Sequence, residues 1–223
     1  MLNGFSFHYS FRRQLIDRTL QKHSTQFNGC VLDVGGKKAQ KKGKFRPPAL
    51  DAVTWVCLNR TGKETPDIIG DAHVLPFKSG CSDWVVCIEV LEFILNPAFF
   101  FRELSRVLKP NGQLLLTVPF LYRIHDHPYD LQRFTEEKLK LLLSESGFKI
   151  KEAEAHGYYF TVLADQLKAA FAQISLYPLR LLSAIFAVPL LMFLRWLDGL
   201  SFVRRSAFFT SYTTGFAILA VKN

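Results

Sequence analysis

Between His125 and Arg133 the 223-residue chain places two imidazoles, two carboxylates and a guanidinium, in the run HDHPYDLQR. An imidazole titrates near neutrality and can remove a proton from a hydroxyl or phenol, provided that a carboxylate orients it. His125 therefore reads as a general base, with Asp126 as the alternative. His127, Asp130 and Arg133 are candidate substrate contacts, and Arg133 could pair with Asp130 or hold an anionic group. The spacing fits no established zinc pattern, so no metal is expected. A hydrogen-bonded turn leading into a helix capped by Thr135 would use the same residues, and spacing alone leaves both readings open.

A second set of candidates recurs with a different logic. Gly35 and Gly36 follow the apolar run CVLDV, with Asp33 inside it; Asn59 follows VTWVCL; Asp71 and Ala72 follow a short run at 67–70; Glu89 follows DWVVCI. Continuous apolar runs of this length read as buried parallel strands. Their carboxyl ends are where open α/β sheets bind ligands, and glycines there let backbone approach closely.

The elements that must carry these residues are legible as well. Strands are expected at 30–34, 53–58, 67–70, 83–88, 113–118, 148–155 and 215–221. Asn96 and Pro97 start a helix whose apolar positions are Phe100, Leu104, Val107 and Leu108, and KPNG at 109–112 stops it. Thr135 opens another, with Leu139, Leu142 and Leu143 on its apolar face. The alternation predicts an α/β, doubly wound fold.

Taken in order, VLDVGG (31–36), DIIGDAHVLPF (67–77), WVVCIEVLEF (84–93) and ELSRVLKPNGQLLLTVPF (103–120) resemble the class I S-adenosylmethionine-dependent methyltransferase family. The nearest likeness is to small members associated with polysaccharide or lipid-linked glycan synthesis, in which a segment similar to HDHPYDLQRFT follows the fifth strand. The resemblance implies a mostly parallel, Rossmann-like sheet of seven strands and S-adenosyl-L-methionine as cofactor. It also implies cofactor contacts from Asp33, Gly35, Gly36, Asn59, Asp71, Ala72 and Glu89, with Asp71 on the adenine amino group and Ala72 against the ring. Three departures stand out. Lys37 and Ala39 replace the later glycines of GxGxG, Asn59 replaces the acid that binds ribose, and Phe93 stands where relatives often carry histidine. They keep open a second reading, a non-catalytic binding or scaffold protein on the same fold. A nicotinamide enzyme would need GxGxxG, which is absent.

Hydrophobic residues make up 49% and charged residues 21%, enough for a packed core, and the formal charge is +9. No nucleic-acid motif accompanies that charge, so a membrane surface rather than nucleic acid is the expected partner. Cys30, Cys57, Cys81 and Cys87 lack CxxC spacing and read as reduced thiols facing the cytosol, and the N-terminus, MLNGFSFHYSFRRQ, does not read as a secretory signal. Residues 1–27 form a helical, aromatic extension; 28–156 and 211–223 form the methyltransferase domain; 157–210 form an insertion. Within it 14 uncharged residues lie between Arg180 and Arg195, interrupted by Pro189, where a spanning helix needs about 20. Leu163, Leu167, Ala170, Phe171 and Ile174 form an apolar stripe, with Asp165, Lys168 and Gln173 opposite. Arg180, Arg195, Arg204, Arg205, Tyr177 and Trp196 suit a headgroup layer. The insertion thus reads as an in-plane or re-entrant membrane element on the cytoplasmic side, peripheral or monotopic. Packing on the sheet, or against a second copy in a homodimer, stays open. The expected acceptor is a hydroxyl on a lipid, a lipid-linked sugar or another hydrophobic molecule.

Overall fold

Parallel strands buried on both faces need no polar alternation, and the strands centred on the expected runs form one sheet. A computed structural model describes residues 9–38, 43–48 and 51–223, and all of their side chains except those of 177–181. Ala39, Lys41 and Lys42, and the side chains of Tyr177 and Arg180, lie outside it. The strands are β1 (Gly29–Val34), β2 (Val53–Asn59), β3 (Ile68–Ile69), β4 (Ser82–Ile88), β5 (Leu108–Pro119), β6 (Phe148–Ala155) and β7 (Gly215–Lys222). Their order is β3-β2-β1-β4-β5-β7-β6, with β7 antiparallel to both neighbours and the other pairings parallel. This is the doubly wound, seven-stranded, mostly parallel sheet that the sequence predicts.

Strand order reverses between β1 and β4. The register there sets Val34 opposite Cys87, so the residues just beyond, Gly35 and Glu89, emerge on the same rim. The crevice at such a switch point is where this architecture holds ligands.

β5 begins earlier than the expected 113–118. KPNG does not leave the sheet; it forms a bulge, marked by a register shift between Ser82 and Trp84 and by Asn111 at φ 63°. Asparagine tolerates that left-handed backbone better than most residues.

Helices α2 (Pro97–Val107) and α3 (Glu136–Glu145) cover one face, burying Phe100, Leu104, Leu139 and Leu143. Asn96 and Thr135 cap them by accepting the amides of Phe99 and Lys138. The other face is covered by α1 (Phe11–His23), whose Ile16 and Leu20 pack with Phe27, Val31, Trp84 and Leu219.

The insertion holds α4 (Tyr159–Ala172), α5 (Tyr177–Leu197) and two short turns, α6 (Ser201–Arg204) and α7 (Ala207–Thr210). Asp198, just past α5, accepts the amides of Tyr158, Phe160 and Thr161, so one helix end caps the start of the other. The stripe expected on α4 holds in part: Leu163, Leu167 and Phe171 pack against the small core around Phe11 and Gln173 is exposed, but Asp165 and Lys168 are buried as well, while Ala170 is exposed. The cause is α1. Asp165 accepts the Phe11 amide at 2.5 Å, and Lys168 donates to the Tyr9 carbonyl at 2.8 Å while lying over the Phe11 ring. On α5, Ala187, Leu191 and Leu194 pack on Phe11 and Ala164, and the opposite side is apolar and exposed. Among the described residues no helix is long and apolar enough to cross a membrane.

Candidate active site

A cleft of about 810 Å³ opens at the switch point, within the roughly 300–1,000 Å³ of small-molecule sites. Its floor is built by Asp33 near the end of β1, Gly35 and Gly36 just beyond it and Glu89 beyond β4, its side wall by α1, and its far wall by Tyr122, His125 and Asp126. Gly35 has φ +77°, and a Cβ there would lie 2.3 Å from Val90, so only glycine fits this turn comfortably. A Cβ on Gly36 would lie 2.4 Å from the Asp33 carboxylate. Asp33 is held in place by the Trp55 indole N–H at 3.1 Å. Glu89 adopts φ +58°, an unusual backbone for a side-chain-bearing residue and of the kind that concentrates at functional sites.

A largely buried set of charges lines and backs the cleft. Arg12, in the first turn of α1, pairs with Glu89 and lies 3.8 Å over the Tyr122 ring. Glu89 also accepts from the Thr117 hydroxyl at 3.1 Å. His125 Nδ1 is 3.0 Å from Asp130, and its Nε2 is 3.8 Å from Glu92. Arg133 grips both Asp130 oxygens. The fork from Arg133 holds the Asp130 carboxyl down at about 2, whereas burial lifts that of Glu92 to about 7. Burial also lowers the His125 pKa, against the pull of Asp130, so the ring is neutral at neutral pH. Both Glu92 oxygens lack a hydrogen-bond partner among the described residues.

The expected residues thus separate into three groups. Asp33, Gly35, Gly36, Glu89, His125 and Asp126 meet in the cleft. Asp130 and Arg133 stand behind His125 and orient it. Asn59, Asp71, Ala72 and His127 are not on the cleft wall. Asn59 spends its amide on the loop, donating to the Gly35 and Gly36 carbonyls and accepting from Thr61. Asp71 accepts from the backbone and ring of His73. Phe93 packs edgewise on His125 at 5.7 Å. Sequence reasoning missed Arg12, Tyr122 and Glu92. The doubled arginine after Ser10 was the one visible signal for Arg12, and a buried partner so far along the chain leaves no local pattern.

Residues 39–116 match the methyltransferase domain family. Over 92 residues, 41% of this chain, the sequence is 32% identical to the mitochondrial 2-methoxy-6-polyprenyl-1,4-benzoquinol methylase of Caenorhabditis elegans, and the match spans 27% of that protein's length. Phosphoethanolamine N-methyltransferase 2 of Haemonchus contortus, solved with phosphomonomethylethanolamine and S-adenosylhomocysteine, superposes with a TM-score of 0.58 at 14% identity, over 94% of this chain and 52% of that one. A candidate methyltransferase from Bacillus halodurans C-125 gives 0.55 at 16% identity, over 93% and 98%. These likenesses establish the fold.

The family implies S-adenosylmethionine, and the cleft fits its amino-acid end. Two carboxylates, Asp33 and Glu89, face the cleft beside a glycine pair that a side chain would fill, a setting suited to a cationic group brought close to backbone. At the nucleoside end the amide of Asn59 is already engaged.

Proposed function

We propose that this chain, whose residues 39–116 match the methyltransferase domain family, is an S-adenosylmethionine-dependent methyltransferase that methylates a hydroxyl on a hydrophobic acceptor at the cytoplasmic surface of a membrane. The acceptor is a lipid, a lipid-linked sugar or a quinol; the polyprenyl benzoquinol in the name of the C. elegans relative is of this kind. The observation that carries the reading is that His125 shares one cleft with Asp33, Gly35, Gly36 and Glu89.

Bound there, S-adenosylmethionine supplies a methyl carbon already activated by its sulfonium. What the chain's own residues contribute is position and proton handling. Asp33, Gly35, Gly36 and Glu89 hold the cofactor's polar end. Asp130 fixes the His125 ring through Nδ1, and Arg133 fixes Asp130. His125, uncharged because it is buried, accepts the proton from the acceptor hydroxyl. The imidazolium so formed lies between the carboxylates of Asp130 and Glu92, which stabilise it.

Support for the membrane comes from α5. Leu182, Ile185, Phe186, Leu190, Phe193 and Trp196 repeat at helical spacing and are 46–74% exposed, with Arg204 and Arg205 exposed nearby. A face of this kind, flanked by cations, suits a headgroup layer.

The engaged amide of Asn59 favours a second reading, a membrane-attached scaffold that kept the fold and lost turnover. Calorimetric titration of the detergent-purified chain with S-adenosylhomocysteine separates the two. Micromolar-range binding, weakened in Asp33→Asn, supports the enzyme. A folded chain that binds nothing abandons catalysis for the scaffold.

A further inference from the structure

Arg12 and Glu89 line the cleft as a buried pair contributed by two distant elements, the first turn of α1 and the end of β4. Arg12 is 5% exposed, and its Nε has no hydrogen-bond partner among the described residues. Its guanidinium carbon lies 3.8 Å over the Tyr122 ring, and its N–H groups are the donors available to a ligand. Burial lowers its pKa from the ordinary arginine value, against the pull of Glu92. The first turn that carries it is fastened on its far side, where Asp165 holds the Phe11 amide and Arg195 lies over the Phe11 ring while donating to Gln14.

We propose that the Arg12–Glu89 pair is the recognition site for a zwitterionic α-amino-acid group, and that the pair opens when this group binds. The ligand's carboxylate takes Arg12 and its ammonium takes Glu89, while Tyr122 and Thr117 keep each side chain in place. One ion pair becomes two and no buried charge loses its partner, which is the condition under which such an exchange is cheap. Until then each protein group neutralises the other, so neither is buried without a partner. Arg12 lies ahead of residues 39–116, so the domain match does not reach it. The inference rests on the cofactor reading above and adds that the amino-acid end is selected by a residue of the N-terminal helix.

The test compares two ligands that share a nucleoside and a thioether. S-adenosylhomocysteine has the amino-acid group, and 5′-methylthioadenosine lacks it. Calorimetry is run on the full chain and on Arg12→Gln, Arg12→Lys and Glu89→Gln, each with a thermal melt to establish folding. Arg12→Gln and Glu89→Gln should each weaken S-adenosylhomocysteine about tenfold to a hundredfold, as for a lost charge-assisted contact, and leave 5′-methylthioadenosine within about twofold. Arg12→Lys should recover part of the loss. Equal weakening of both ligands means that the pair only shapes the cleft, and overturns the proposal. So does unchanged binding of S-adenosylhomocysteine by a folded variant. If the unaltered chain binds neither ligand, the cofactor reading falls and takes this one with it.

Discussion

Asn59 holds the position where the family carries an acid, and here it does what an acid cannot: it donates to two carbonyls of the glycine turn. Asn59→Asp should therefore weaken S-adenosylhomocysteine several-fold and lower stability by about 1–3 kcal/mol, because a carboxylate would face those carbonyls without a proton to give. Tighter binding on restoring the acid would contradict this account of the loop. Glu92 makes a prediction of opposite character. Its folded pKa is about 7 against an ordinary 4.5, so the folded chain holds this proton more firmly than the unfolded one does. Its stabilising contribution is complete below 4.5 and is lost as pH rises through 7. Asp130, held at about 2 by Arg133, contributes above 3.8 and loses that contribution as pH falls through 2. Between about pH 5 and pH 8 the melting temperature of Glu92→Gln should fall less than that of the unaltered chain. Parallel profiles would show that Glu92 titrates normally. The pairing of Asp130 with Arg133 was legible from spacing, whereas the carboxylate expected beside His125 was not identified there as Asp130. Glu92 and Arg12 were not legible, because their neighbours come from other elements and nothing local announces burial.

At the scale of elements, the strands were legible because continuous apolar runs leave few alternatives. Where expectation and structure part, a tertiary contact has overridden a local pattern. KPNG stops α2 as expected, but the strand expected from 113 already begins at Leu108, since Lys109 reaches Asp83 at 2.8 Å and the chain stays beside β4 as a bulge. Asp165 and Lys168 looked like a wet face, but α1 needed both a cap and a cation there. The apolar face of α5 is the element with the clearest consequence. The chain should co-sediment with anionic vesicles, and Phe186→Asp with Trp196→Asp should abolish this without lowering the melting temperature, because both side chains are exposed. A stable dimer in lipid-free buffer that ignores vesicles would assign the same face to a second copy.

At the scale of the whole molecule, the sheet places two functions at opposite ends of one helix turn. Arg12 looks into the cleft, and its neighbour Phe11 lies in the small core shared with α4 and α5. A hydrophobic acceptor arriving along α5 would thus approach a cleft whose wall is fixed by the same turn. The doubly wound class was foreseeable from the succession of runs, and the ligand-binding rim from the glycines after the first of them; the joining of α1 to the insertion was not, since it depends on residues more than 150 positions apart. Transfer of label is the most direct test of the central claim. The chain is incubated with methyl-labelled S-adenosylmethionine and vesicles made from extracted membrane lipids, and the solvent-soluble fraction is counted. Label should enter that fraction with the unaltered chain and fall by about a hundredfold or more with His125→Ala, as for the loss of a general base. Cofactor binding without any label in lipid, or label undiminished by His125→Ala, would contradict it.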